Sequence, residues 1–199
     1  MEIESEKTLY TFIIFSENTS GVLNEITSVF ARRQVNIESL NTSASSVKGL
    51  HRYTITCNGD KFTVQKISKQ IEKKIGVVSS KFYLSSDIFI QEVALFKIST
   101  DKLLEHHEIS KAVRQHSGNI VEVNPTYAIL YKVGMTSEII SLYKNLTQYD
   151  CVLQYVRSGA IAITQTTREL LNENLTERKK RYEENKKKAS KSKVISEHE

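Results

Sequence analysis

The residues able to do chemistry in this 199-residue chain are few and scattered. His106 and His107 are adjacent, so on a helix they point apart and cannot share a metal in the i, i+4 manner. His116 falls on the apolar spacing of the same segment and reads as half-buried packing. Cys57 and Cys151 stand on strand-like runs and read as small inert hydrophobes; two cysteines make neither a disulfide framework nor a four-ligand zinc site. No phosphate-cradling P-loop and no G-x-G-x-x-G is present. The expectation is therefore no catalytic residue, no metal ligand and no cofactor in this chain. What remains is an arrangement that favours a small anion. Gly21 follows the polar loop Glu17-Asn18-Thr19-Ser20 and opens a helical pattern. A helix N-terminus offers unpaired N–H groups and the positive end of the dipole. A residue without Cβ lets a ligand approach the backbone. Asn18 and Asn36 each add an amide donor and acceptor, which suits a zwitterion. The residues alone leave a plainer reading open: Asn18 as a turn residue and Gly21 as a simple loop-to-helix glycine.

The elements that must position these groups are marked by seven glycines and one proline, nearly all between periodic segments. Leu9 to Phe15 is almost wholly apolar or Thr, which predicts a strand buried on both faces. Val22, Leu23, Ile26, Val29 and Phe30 recur at helical spacing. Val35–Ser45 and Leu50–Cys57 read as two strands with Gly49 in the turn. Asp60 is placed to cap a helix whose face is Val64, Ile67, Ile71 and Ile75, with Gly76 ending it. Val77–Leu84 closes a βαββαβ unit.

The second half repeats that order. It has a strand over Gln91–Ser99, a helix over Leu103–Ser117 with Asp101 before and Gly118 after, and a hairpin of Asn119–Asn124 and Tyr127–Val133 around Pro125. A helix capped by Thr136 follows, with Ile139, Leu142, Tyr143 and Leu146 on its face. Cys151–Arg157 is then the closing strand, and Gly159–Thr164 adds a short extra one. Asn36-Ile37 recurs as Asn119-Ile120, while Gly59 matches Gly134 at a smaller offset, so the second hairpin is shorter. A tandem duplication of one α+β unit is the natural reading. The expected class is α+β, with ferredoxin-like units at 8–84 and 89–165 and a basic tail, helical or disordered, at 166–199.

Charge and composition narrow the function classes. The net charge is +5, with 39% hydrophobic residues, enough for a packed core. From Leu171 onward nine Lys and Arg face six Glu, so most of the excess sits in the tail. A solvated tail of that composition makes nucleic acid an improbable partner of the rest. No apolar run approaches the roughly 18 residues of a membrane span. Glu2, Glu4 and Glu6 leave no apolar signal region at the N-terminus. With reduced thiols, the expected compartment is the cytoplasm.

Specific strings sharpen this. Glu17-Asn18-Thr19-Ser20-Gly21-Val22-Leu23, Phe30-Ala31-Arg32-Arg33-Gln34-Val35-Asn36-Ile37-Glu38-Ser39-Leu40 and Gly49-Leu50-His51-Arg52-Tyr53-Thr54-Ile55 resemble the ACT domain of the small, regulatory subunit of acetolactate synthase. That family carries roughly E-N-x-x-G-V-L, F-x-R-R-x-x-N-I-E-S-L and G-L-S-R-M-T-I. Ile120-Val121-Glu122-Val123-Asn124-Pro125 and Val156-Arg157-Ser158-Gly159-Ala160 resemble its C-terminal half. The resemblance implies an N-terminal ACT domain, a C-terminal ACT-like domain and a homodimer through the ACT units. It also implies a partner, the catalytic subunit, which would hold thiamine diphosphate, Mg and FAD. By the same resemblance Asn18, Gly21, Val22, Leu23, Asn36 and Ile37 line a valine site at the seam between two ACT domains, for feedback control of branched-chain amino acid synthesis. Where the family has Thr and a small apolar residue on the next strand, this chain has Asn41 and Ser43, both able to line an effector site. Arg32 and Arg33 either stabilise a helix C-terminus or contact the catalytic subunit. The rival reading is a free-standing amino-acid sensor whose basic tail touches RNA.

Overall fold

Strand β1 (Thr8–Glu17) is buried without interruption from Tyr10 to Ser16 in the computed structural model, which describes residues 8–165. The two faces of β1 go to different cores. Tyr10, Phe12 and Ile14 join Ile26, Val29 and Phe30 of helix α1 (Val22–Arg32) and Val64, Ile67 and Ile71 of helix α2 (Lys61–Glu72). Ile13 and Phe15 point the other way, into a smaller core with Ile88 and Ala162. This two-sided burial is why β1 lacks the alternation of a half-exposed strand. Phe12 packs edge-on against Phe30 at 5.2 Å, a favoured aromatic geometry.

Strands β2 (Ile37–Ala44), β3 (Leu50–Gly59) and β4 (Val77–Leu84) complete an antiparallel sheet ordered β2-β3-β1-β4. The second unit has the same plan. Strands β5 (Ile88–Ser99), β6 (Asn119–Val123), β7 (Tyr127–Gly134) and β8 (Val152–Arg157) are ordered β6-β7-β5-β8. The extra strand expected near Thr164 is present as β9 (Ile161–Thr164), paired with the first residues of β5. The fold is therefore two βαββαβ units, each covering one sheet face with helices. The expected tail, 166–199, lies outside the described residues.

Several local expectations need correction. Residues 33–36 do not extend β2: Val35 N–H returns to the Phe30 carbonyl and Gln34 takes φ 53°, so the chain turns off α1 before pairing begins. Ile75 is 95% exposed, because α2 stops at Glu72 and Gly76 serves a later turn rather than the helix end. The single helix expected over Leu103–Ser117 is two, α3 (Thr100–Glu105) and α4 (His107–Gln115). Ser99 caps α3 through Lys102 N–H, and His106, extended at φ −116° and ψ 97°, breaks the run with its ring against Tyr149. After α4, Ser117 and not Gly118 takes the left-handed conformation; at Gly118 a Cβ would press on the Val113 side chain and carbonyl. Thr136 is the first residue of helix α5 (Thr136–Thr147), and Met135 occupies the cap. The Thr136 hydroxyl instead donates to Glu92, a buried carboxylate that also meets Arg157 at 3.4 Å.

Asp60 does cap α2, accepting from Thr63 N–H at 2.9 Å. That bond holds its carboxyl below the ordinary value. Asp60→Ala should cost about 1 kcal/mol, read as a lower thermal midpoint near neutral pH. Because the folded value is depressed, the stabilisation is complete above the unfolded value near 3.8 and is lost as pH falls through the folded one. Wild type and variant should therefore converge in strong acid.

Candidate functional site

The Gly21 loop is built where three connections meet. Asn18 N–H donates to the Gly49 carbonyl at 3.0 Å, tying the loop to the β2–β3 turn. Glu17 N–H donates to the Gly76 carbonyl at 2.8 Å, tying it to the turn before β4. At Gly76, with φ 81°, a Cβ would lie 3.2 Å from Val22 Cγ2, so glycine also serves close approach there. Gly21 itself is the N-cap of α1, left-handed at φ 89° and ψ −20°, and no side chain caps the helix. The N–H groups of its first turn are therefore open on the exposed side. Space is open too: nothing lies within 4 Å of where a Gly21 Cβ would be.

Electrostatics preserve the positive end. Glu25, in the first turn, pairs with Lys74 Nζ at 2.5 Å, and this ammonium holds its carboxyl below the ordinary value. The ion pair neutralises the one acidic side chain that would oppose an incoming carboxylate within that turn. Val22 sends its side chain into the core, so only its backbone can meet a ligand. Leu23 and Asn18 are exposed beside the opening.

Asn36 and Ile37 lie elsewhere. Ile37 pairs with Cys57, which pairs with Tyr10, whereas the Gly21 loop follows Glu17 at the opposite end of β1. From Tyr10 to Glu17 the strand spans about 23 Å at ~3.3 Å per residue. One chain thus separates the two groups of expected site residues. Asn41 and Ser43 are in a third place. Leu40 packs into the helix-side core, and Asn41 and Ser43 alternate onto the other sheet face. There they line a cavity of about 300 Å³ with Arg52 and Thr54 of β3 and residues of β5 and β9. Arg52, Thr54 and Gln91 carried no signal as ligand residues in the sequence. Period-2 alternation places Arg52 and Thr54 beside Asn41 and Ser43, but the opposing wall comes from the packing of two distant units.

The remaining candidates take structural positions. Cys57 and Cys151 are buried, and burial pushes the Cys57 thiol up to about 11 and the Cys151 thiol upward as well, so neither is poised as a thiolate. His116 is bonded to Asn145 at 2.7 Å. Arg32 folds back onto Ser28, and Arg33 reaches Gln70 at 3.3 Å. Among the described residues no group of three or more His, Cys, Asp and Glu gathers as a metal site, and no helix is long and apolar enough to cross a membrane.

Known proteins resemble this chain in sequence and in fold. Residues 12–79 match the family model of the AHAS small subunit-like ACT domain, and residues 91–166 match that of the small subunit of acetolactate synthase. The chain is 28% identical over 166 residues to a probable acetolactate synthase small subunit of Methanothermobacter thermautotrophicus, covering 83% of this chain and 98% of that protein. It is 27% identical over 163 residues to the small subunit of Haemophilus influenzae, covering 79% and 96%. The crystal structure of the Thermotoga maritima acetolactate synthase small subunit superposes with a TM-score of 0.72 at 28% identity, over 80% of this chain and 99% of that one. Two sheets of identical strand order, a Gly21-opened helix in the first, and successive matches to both halves of one subunit lead to one conclusion: this chain belongs to the acetolactate synthase small-subunit family.

Proposed function

We propose that this chain is a non-catalytic regulatory subunit. It docks on the catalytic subunit of acetolactate synthase, raises its turnover, and transmits inhibition when valine binds the N-terminal ACT unit. In this reading thiamine diphosphate, Mg and FAD belong to the catalytic subunit. The observation that carries the effector half is the uncapped α1 N-terminus at Gly21, open to solvent and relieved of Glu25 by Lys74. The valine carboxylate takes the first-turn N–H groups of Val22 and Leu23. The amides of Asn18 and Asn36 take the remaining polar positions.

Asn36 must then come from a second copy. Strand β2 is the edge of its sheet, and pairing that edge with itself about a two-fold axis removes an exposed strand edge. Antiparallel pairing centred near Leu40–Asn41 sets Asn36 of one protomer beside Ser45 of the other. Ser45 bonds to Leu50 in the turn that holds Asn18. The two separated groups of one chain thus become two complete sites across the dimer.

Reconstitution tests the partnership. Alone, the protein should not convert pyruvate to acetolactate. Titrated into its cognate catalytic subunit, it should raise turnover severalfold, and valine should reverse the gain. A flat titration would remove the regulatory reading. The rival sensor with an RNA-contacting tail rests on residues outside those described; it predicts nucleic-acid binding that weakens steeply with salt.

A further inference from the structure

Strand β5 is apolar on both of its faces, and the described residues cover only one of them. Ile88 and Ile90 pack on the first unit in the small core with Ile13 and Phe15. Ala94, Phe96 and Ile98 enter the helix-side core of the second unit. The intervening residues alternate onto the other side. There Phe89 is more than half exposed, and Val93 and Leu95 are exposed as well. Neighbouring strands extend this surface. Phe89 pairs with Ile163 and Gln91 with Ile161 of β9, and both isoleucines are more than half exposed. Val93 pairs with Val133 of β7 and Leu95 with Val156 of β8, again exposed. Lys97, over the Tyr127 ring at 4.1 Å, ends the apolar run.

A strand of this composition is normally buried on both faces, as β1 is. Seven apolar side chains side by side also exceed the scattered exposure usual on a folded surface. The face therefore calls for a further layer.

Where the chain goes next identifies that layer. Strand β9 runs antiparallel to β5 and pairs Thr164 with Ile88, so the chain leaves at the Phe89 end of the face. Residues 166–199 follow, outside those described, and the family match ends at 166. Their sequence is not uniform. From Glu177 onward nine Lys and Arg face five Glu, whereas residues 166–176 hold Leu170, Leu171 and Leu175 with only three charges. At helical spacing Leu171, Leu175 and Tyr182 share one stripe.

The dimensions agree. Phe89 to Leu95 spans about 20 Å at ~3.3 Å per residue, and Leu171 to Tyr182 spans about 16 Å at ~1.5 Å per residue. Residues 165–170 make a connection of ordinary length for reversing direction. Laid along β5 from the Phe89 end, the stripe sets Leu171 near Phe89 and Ile163, Leu175 near Ile161, and Tyr182 near Val93 and Leu95. Glu183 and Glu184 then arrive at the end marked by Lys97, where opposite charge favours them. The basic remainder stays in water. A tether this short presents the stripe to the face at high effective concentration.

We propose that residues 168–184 of this chain fold back over the open face of β5, with Leu171, Leu175 and Tyr182 against Phe89, Ile163 and Leu95. The contact does not depend on the effector or catalytic-partner readings.

The test uses the full chain. Hydrogen exchange should show slowed amides across residues 170–182, and Leu171→Asp with Leu175→Asp should remove that protection. The same double variant should lower the thermal midpoint by about 3 °C or more. It should also raise the fluorescence of a dye that binds apolar surface severalfold, because Phe89, Ile161 and Ile163 come free. Phe89→Asp changes the other side of the contact and should remove the same protection. Glu173→Gln lies on the opposite side of the stripe and should leave it intact. Unprotected amides across 170–182 in the wild type would overturn the proposal. A double variant with unchanged midpoint and dye binding would overturn it equally. If Phe89→Asp instead splits a dimer in sedimentation and leaves exchange in 170–182 unchanged, a second copy covers the face and the fold-back is wrong.

Discussion

Gly21→Asp is expected to give a folded subunit that still raises the turnover of the catalytic subunit but has lost its response to valine. The new carboxylate would stand at the α1 N-terminus, where the ligand carboxylate is proposed to sit. Two like charges about 4 Å apart repel by on the order of 1–4 kcal/mol between water and a partly desolvated site. At 1.4 kcal/mol per tenfold, affinity falls about tenfold to several hundredfold. The fold should tolerate the change. No atom lies within 4 Å of the new Cβ, so nothing clashes. The left-handed backbone at φ 89° costs an L-residue about 1–2 kcal/mol, and Asp pays less than most. An acidic side chain at a helix N-terminus returns about 0.3–1 kcal/mol of that. Calorimetry with valine measures the loss, and inhibition curves on the reconstituted enzyme measure its consequence. Wild-type affinity in the variant would show that the helix N-terminus is not the site.

How much of this was readable from residues alone follows from which forces are local. The βαββαβ order was legible because strand and helix periods differ and because Gly49 and Pro125 mark the hairpin turns. Asp60 was legible as a cap because its bond to Thr63 spans three residues. The failures occur where a distant partner decides. His106 looked helical by spacing, yet its packing on Tyr149, 43 positions away in the chain, accompanies the break between α3 and α4. Thr136 looked like a cap because Ser and Thr favour that position. Its hydroxyl goes instead to Glu92, a buried carboxylate brought there by the pairing of Glu92 with Gly134.

The candidate site divides in the same way. Gly21 and Asn18 could be placed at a helix N-terminus from the sequence, since loop and helix are contiguous. Asn41 and Ser43 could be assigned to one strand face, but the wall opposite them comes from β5 and β9, and no local pattern announces which surface will cover a sheet. Nor could the sequence say that Asn36 and Gly21 lie at opposite ends of the sheet. That follows from the registers, and the proposed valine site then needs its Asn36 from a second chain.

That requirement gives the most discriminating experiment. Asn36→His should weaken valine binding about tenfold or more, as Gly21→Asp does, by removing an amide that both donates and accepts. The positions are about 20 Å or more apart along one sheet, so each variant leaves the other's half-site intact. When the two variant proteins are mixed, dissociated and allowed to re-pair, mixed dimers form. In a mixed dimer one site combines both lesions, and the other combines an intact Gly21 loop with an intact Asn36. With random pairing half the dimers are mixed and half of their sites are whole, so about a quarter of all sites should recover from two weakened parents. Each recovered site should bind with wild-type affinity, because neither lesion touches it. Titration calorimetry reads this as a stoichiometry restored to about a quarter at unchanged Kd. A site contained within one chain predicts no recovery at any mixing ratio, since every copy then carries its own lesion. Recovery therefore tests the pairing of the β2 edges together with the site that such pairing would complete.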